Sequence, residues 1–213
     1  MNKCRVLGLD DSEEWNRYLK QLPIVQQDIY FTPEYYSLNE ANGDAKALCF
    51  AFEHGNDLAL YPFLINRIND LGYDLDEEYF DIQGAYGYNG VISSSYEKGF
   101  IDSFYEAFSE YAVQRNIVCE FVRFHPILNN ARFSQGYVDV LFDRNTVALD
   151  LTNDRTHIWT KDYSSNNRNI LRKALDSGVQ CFVLRDYGSL RTFVQIYNDT
   201  MKRLSAASEY YFS

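Results

Sequence analysis

The sequence predicts an α/β protein, a mixed sheet flanked by helices. Two observations predict the class. Apolar runs of strand length, such as "KALCFAFE" and "IVCEFVRF", are interleaved with runs whose apolar residues recur every three to four positions. Hydrophobic residues make up 46% of the 213, with only 11 Gly and 4 Pro, which excludes a disordered or low-complexity chain. A third observation predicts how the chain divides. Residues 1–150 carry 11 Lys and Arg against 24 Asp and Glu, whereas residues 151–213 carry 9 against 6. The change of sign marks a boundary near residue 150. We therefore expect one domain over 1–152 and a second over 153–213.

The elements follow in order. Residues 4–9 form a first strand. Asp11 opens a helix with Glu14 as its capping-box partner, and Trp15, Tyr18, Leu19 and Leu22 share its inner face before Pro23. Thr32 caps a second helix, Pro33 takes its first position, and Gly43 ends it. Residues 46–54 and 58–68 make a hairpin about "HGND", and 79–82 a further strand. The helix at 97–115 has the clearest period, Phe100, Phe104, Phe108 and Tyr111 forming a packing stripe. A strand at 117–124 ends at Pro126. "YVDVLF" (137–142) and "TVALDL" (146–151) read as two more strands with a turn at 143–145. A short helix lies near 156–163, and Ser164 or Ser165 caps the next, which Gly178 stops. "VQCFVL" (179–184) reads as a strand and 188–206 as a long helix, and the chain ends within an apolar pattern. After residue 146 the order of strands and helices begins again, as if a second copy of the first unit were cut short.

The formal net charge of −10 disfavours a general polyanion binder. Cys4, Cys49, Cys119 and Cys181 are too far apart for a ligand pair, and the last three sit in strand-like apolar runs where reduced thiols pack as small hydrophobes. No signal peptide and no apolar run of membrane-spanning length is present, so a cytoplasmic setting is expected. There is no Gly-x-Ser-x-Gly elbow, Walker loop or His-Glu-x-x-His. His54, His125 and His157 are too scattered for a zinc site, so no metal is expected. The carboxylates at Asp74, Asp76, Glu77 and Glu78 are most simply a solvated loop.

Three stretches hold candidate chemistry. "YFDIQGAYGYNG" (79–90) places Gly84, Gly87 and Gly90 among Tyr86, Tyr88 and Asn89, which is either a ligand-cleft wall or a wide turn using glycine for positive φ. In "VRFHP", Arg123 lies among apolar strand neighbours and calls for an anionic partner, while His125 titrates in the range of a general base or else holds the turn before Pro126. In "NNRNILRK", Arg168 and Arg172 share a helix face with Lys173 beside them. Arg168 lies near the helix start, where the dipole disfavours a cation unless an anion is near. That face is an anion contact or a solvated basic surface.

The element order resembles the GNAT acyltransferase fold. "DIYFTPEYY" (28–36), "YFDIQGAYGYNGVIS" (79–93), "FVRFHPILNN" (121–130), "VALDLT" (147–152) with "SSNNRNILRKALDSGV" (164–179), and "YNDTMKRLSAASEYYF" (197–212) are similar to the FemAB-like branch, whose members join two GNAT-like domains. The resemblance implies transfer of an acyl or aminoacyl unit from acyl-CoA or aminoacyl-tRNA onto an amine of a small-molecule, cell-wall or sugar precursor. It also implies that Gly84, Gly87 and Gly90 approach the donor's pyrophosphate at the start of the third helix. The usual Gln/Arg-x-x-Gly-x-Gly/Ala pattern is not met, because Tyr86 stands three residues after Gln83. The rival expectation is a non-catalytic module that binds a partner or dimerises to cover an unfinished second domain.

Overall fold

The centre of the first unit is a hairpin in which β2 (Lys46–His54) and β3 (Asp57–Arg67) pair antiparallel, with His54 opposite Asp57. The two-residue turn has Gly55 at φ +62°, the left-handed conformation that such tight hairpins require. The computed structural model describes residues 2–41, 43 and 45–211; Phe212 and Ser213, the close of the apolar ending, lie outside them. The chain divides into two compact units, Met1–Ala148 and Leu149–Ser213.

The first unit holds a six-stranded mixed sheet. β1 (Lys3–Leu7) lies antiparallel on β2. The other edge of β3 is shared: Leu64–Arg67 pair with β4 (Phe80–Gln83), and Ala59–Leu60 pair with the two-residue β5 (Ile92–Ser93), both antiparallel. β6 (Ile117–Phe121) completes the sheet parallel to β4. Parallel neighbours need a crossover, and α3 (Lys98–Gln114) supplies it.

The hairpin's alternation builds two unlike cores. Ala47, Cys49 and Ala51 point to one face, where α1 (Ser12–Leu19) and α2 (Pro33–Ala41) bring in Trp15, Tyr18, Tyr36 and, from between them, Phe31. Small sheet residues leave room for these large rings. Leu48, Phe50 and Phe52, with Tyr61 and Phe63, point the other way and meet Phe100, Phe104 and Phe108 of α3. Phe104 is fully buried, 5.9 Å from Phe50 and 6.1 Å from Phe52 between ring centroids. The buried polar groups are matched: Trp15 Nε1 donates to Phe31 O (2.9 Å) and Tyr36 Oη to Pro62 O (2.9 Å).

Several sequence expectations are corrected. Asp11 does not cap α1 with its side chain; its carboxylate accepts from Gly8 N–H (3.1 Å), while Glu14 is taken by Arg5 and Arg17. Thr32 does cap α2, its hydroxyl accepting from Tyr35 N–H (3.2 Å). The strands expected at 137–142, 146–151 and 179–184 do not form. A strand needs an edge to pair with and a face to cover its side chains, and Leu141, Phe142, Val147 and Val183 have neither; Val147 is 100% exposed. The Cys119 and Cys181 thiols are exposed, and of the four only Cys49 is buried.

The second unit is helical. α5 (Arg155–His157), after the short α4 (Ala131–Ser134) of the first unit, runs into a π-turn at Ile158–Asp162. α6 (Ser165–Asp176) is capped by Ser164, whose hydroxyl accepts from Asn167 N–H (3.1 Å). α7 (Tyr187–Arg203) is capped by Asp186. Ile170 and Leu175 of α6 and Leu190, Phe193 and Ile196 of α7 are exposed.

Two outcomes follow from the α3 core. Phe104→Ala should cost about 3–5 kcal/mol in denaturant unfolding, the usual penalty for emptying a buried aromatic site. Glu120 on β6 accepts from Tyr61 Oη (2.9 Å), and burial pushes its carboxyl above the ordinary 4.5, with the Tyr61 bond opposing. The stability its protonated form contributes is whole below that ordinary value and is lost as pH rises through the raised folded value. Glu120→Gln, which keeps an acceptor for Tyr61, should raise the melting temperature near neutrality and lose that advantage in acid.

Candidate functional site

At the middle of β3, Pro62 has no N–H to give a neighbouring strand, and its carbonyl is taken by Tyr36. This is where the outer partner breaks. β4 stops with Gln83 opposite Leu64, and the chain returns only at Ile92 opposite Leu60. Residues 84–91 bulge from the sheet between them. The resemblance implied a glycine loop leading, after about ten residues, to the start of the third helix. Among those residues β5 forms, and Phe100 N–H and Ile101 N–H at the start of α3 both donate to Glu97 O.

The loop is held from both sides. On one, Tyr35 Oη of α2 donates to Tyr86 O (2.5 Å) and Tyr86 N–H to Asn39 Oδ1 (3.5 Å). On the other, Asn89 behaves as an extra strand residue: its N–H donates to Arg123 O (2.8 Å), and its Oδ1 accepts from Arg123 N–H (2.8 Å). Asn130 locks that seam, donating through Nδ2 to Asn89 O (2.9 Å) and accepting at Oδ1 from His125 N–H (2.8 Å). Gly87 lies at φ +113°, and a methyl group there would meet Tyr30 Cε1 at 2.3 Å. Gly84 is covered by the Asn89 side chain and Gly90 by Phe124 and Asn130. These glycines serve close packing.

Beyond the carboxyl ends of β4 and β6 the parallel pairing lapses after Gln83 and Phe121, and a cleft of about 340 Å³ opens. Gly84, Tyr86, Gly87, Asn89 and Arg123 border it, together with Gln83, Phe121 and Asn39. Asn89 is 1% exposed, and its Nδ2 is the one buried side-chain nitrogen or oxygen among the described residues with no hydrogen-bond partner. Its orientation is set by the Arg123 N–H bond to Oδ1, so the donor end is the orphan. Such a group costs free energy unless something accepts from it. Arg123 is exposed, its guanidinium 6.0 Å from the Phe121 ring centroid.

Tyr88, Gly90 and His125 are not on the cleft wall. Tyr88 packs its ring 4.9 Å from that of His125 and 5.3 Å from that of Tyr30. His125 Nδ1 accepts from the N–H groups of Ile127 (3.2 Å) and Leu128 (3.3 Å), which leaves the proton on Nε2, 3.7 Å from Asp28 Oδ2. Burial holds its pKa below the ordinary 6.5, with Asp28 opposing. Nδ1 is therefore committed to the turn, while Nε2 lies beyond hydrogen-bond distance of Asp28. In the second unit, Arg168 Nη1 donates to Trp159 O (3.1 Å) and to Tyr163 O. These carbonyls supply the negative charge its position in the helix calls for. Arg172 donates to Asn169 Oδ1 (3.0 Å) and lies 5.5 Å from the Trp159 ring centroid, and Lys173 is exposed. Asn39, Leu64 and Asn130 were not singled out from the sequence. Pro62 within an apolar strand was the available signal for the break.

Among the described residues no helix is long and apolar enough to cross a membrane, and no group of three or more His, Cys, Asp or Glu could hold a metal ion.

The chain matches no family model and no curated protein. Among solved structures it is similar to a ribosomal-protein-alanine N-acetyltransferase from Brucella melitensis, at 13% identity and TM-score 0.42, covering 71% of this chain and 99% of that one. A GCN5-related N-acetyltransferase from Ralstonia eutropha is similar at 14% identity and TM-score 0.36, over 69% and 99%. A predicted acetyltransferase with acetyl-CoA from Clostridium acetobutylicum is similar at 14% identity and TM-score 0.35, over 73% and 99%.

Gly87→Ala tests the loop. The left-handed backbone alone should cost about 1–3 kcal/mol, and the clash with Tyr30 should add to it. Thermal melts of Gly87→Ala made with and without Tyr30→Ala should separate the two contributions.

Proposed function

We propose that this chain is an N-acyl- or aminoacyltransferase acting on an amine. In this proposal residues 1–152 form a GNAT-like domain of the FemAB-like kind, and 153–213 belong to a second domain of that kind. The observation that carries the proposal is the partnerless Asn89 Nδ2 at a cleft beyond the carboxyl ends of two parallel strands. Crevices in that position are where open α/β sheets collect ligands.

The donor, an acyl-CoA or an aminoacyl-tRNA, presents its carbonyl oxygen to Asn89 Nδ2 once the Gly84 backbone that covers it shifts aside, and Arg123 faces its phosphate charge. The acceptor, arriving protonated, loses that proton to solvent water, and its free amine nitrogen attacks the carbonyl carbon. A C–N bond forms, the thioester C–S or ester C–O bond breaks, and the amine proton passes to the departing sulfur or oxygen, directly or through water. Positioning and the fixed amide dipole supply the acceleration. His125 acts by keeping Tyr88 and the 125–130 turn in place. The protein's acidic surface draws a protonated amine of the cell-wall or sugar-precursor class toward the cleft.

A second reading, a binding or dimerisation module, is favoured by one observation: Leu141, Phe142, Val147 and Leu151 carry strand-like apolar patterns and stand exposed.

The chain is titrated with acetyl-CoA while its melting is followed, then incubated with acetyl-CoA or aminoacyl-tRNA and a panel of amines read by mass spectrometry. A donor at one hundred times its Kd adds about 2.7 kcal/mol to stability. Asn89→Asp keeps the acceptor for Arg123 N–H and removes the orphan donor; kcat should fall by about 10²–10³. If neither donor gives stabilisation or an acylated amine, and light scattering shows a dimer, the module reading replaces the enzyme.

A further inference from the structure

A second concavity lies at the opposite, amino end of the β4–β6 pair, on the α3 side of the sheet. It has a volume of about 730 Å³, within the range of small-molecule sites. Its floor is the rim of the α3-side core: Leu48 and Ile65 are buried there, and Phe80 and Tyr111 are half-buried against the same cluster. Its polar wall is mainly cationic. Arg67 is consumed, pairing with Asp70 (3.3 Å) and Glu78 (2.7 Å). Lys46 and Arg115 also line the groove, and among the described residues neither has a carboxylate within ion-pair distance.

Two cations with no carboxylate partner among the described residues, Arg115 hydrogen-bonded through its side chain to Tyr111, over an apolar, partly aromatic floor are unusual in a unit so rich in Asp and Glu. Exposed cations on such a surface ordinarily find carboxylates. Here the geometry leaves them facing a hollow too apolar for water alone to fill well. We propose that this groove binds a small amphipathic carboxylate, its ring or alkyl body on Leu48, Ile65, Phe80 and Tyr111 and its head between Lys46 and Arg115. A monoanion matches the site better than a phosphate dianion, because Asp70 stands on the same wall and the protein is acidic overall. The site is separate from the cleft at Asn89, and it stands or falls independently of acyl transfer.

The test titrates the full chain with 2-naphthoate and with its neutral analogue 2-naphthamide, read by backbone amide chemical shifts. The expected result is saturable shifts at Lys46, Ile65, Arg67, Tyr111 and Arg115. Binding should weaken at least about tenfold for the amide and for the Lys46→Gln/Arg115→Gln double variant, whose exposed substitutions leave the core untouched. No saturable shift at these residues overturns the proposal. So does equal binding of the amide, or equal binding of naphthoate to the double variant, since either would mean apolar contact without charge recognition.

Discussion

The first unit is organised around one missing hydrogen-bond donor. Pro62 stands in the longest strand of the sheet, where an ordinary residue would offer an N–H to the next strand. It has none, and Tyr36 takes its carbonyl, so no continuous partner can run along that edge. β4 and β5 therefore pair on either side of the gap, and the eight residues between them leave the plane. The cleft exists because the edge is broken, and the loop is ordered because α2 and the 123–130 segment catch it with hydrogen bonds that the sheet does not supply.

Those catches are made chiefly by asparagine, whose amide can imitate a peptide group. Asn89 and Asn130 together replace about one strand's worth of pairing between the loop and the segment after β6. The substitution is incomplete, since Asn89 Nδ2 has nothing to donate to. A fully matched seam would have been a purely structural device, and an unmatched buried donor in a residue that borders the cleft is what makes the seam chemically suggestive.

Legibility from sequence tracked the range of the interactions. The α3 stripe could be read because its period and its partners are both regular. The β2–β3 hairpin could be read because "HGND" marks a tight turn between two apolar runs. The Asp11–Glu14 box could not be judged locally, because Arg5, on another element, competes for Glu14. The patterns at 137–142 and 146–151 are true strand patterns, yet pattern alone cannot supply an edge. At the cleft, the loop residues and Arg123 were visible as a glycine-tyrosine run and a cation among apolar neighbours. Asn39, Leu64 and Asn130 were not, because what brings them there is tertiary geometry. The role of His125 turned on which nitrogen accepts, which no spacing reveals.

The small-against-large alternation of β2 has one more result. Slide that strand by a single residue and Phe50 and Phe52 would be driven into the space that Trp15 and Tyr36 fill, while Ala47, Cys49 and Ala51 would leave α3 facing a void. The misaligned hairpin thus fails on both sides at once. Correct threading is enforced by bulk as well as by the turn, so the register does not rest on Gly55 alone.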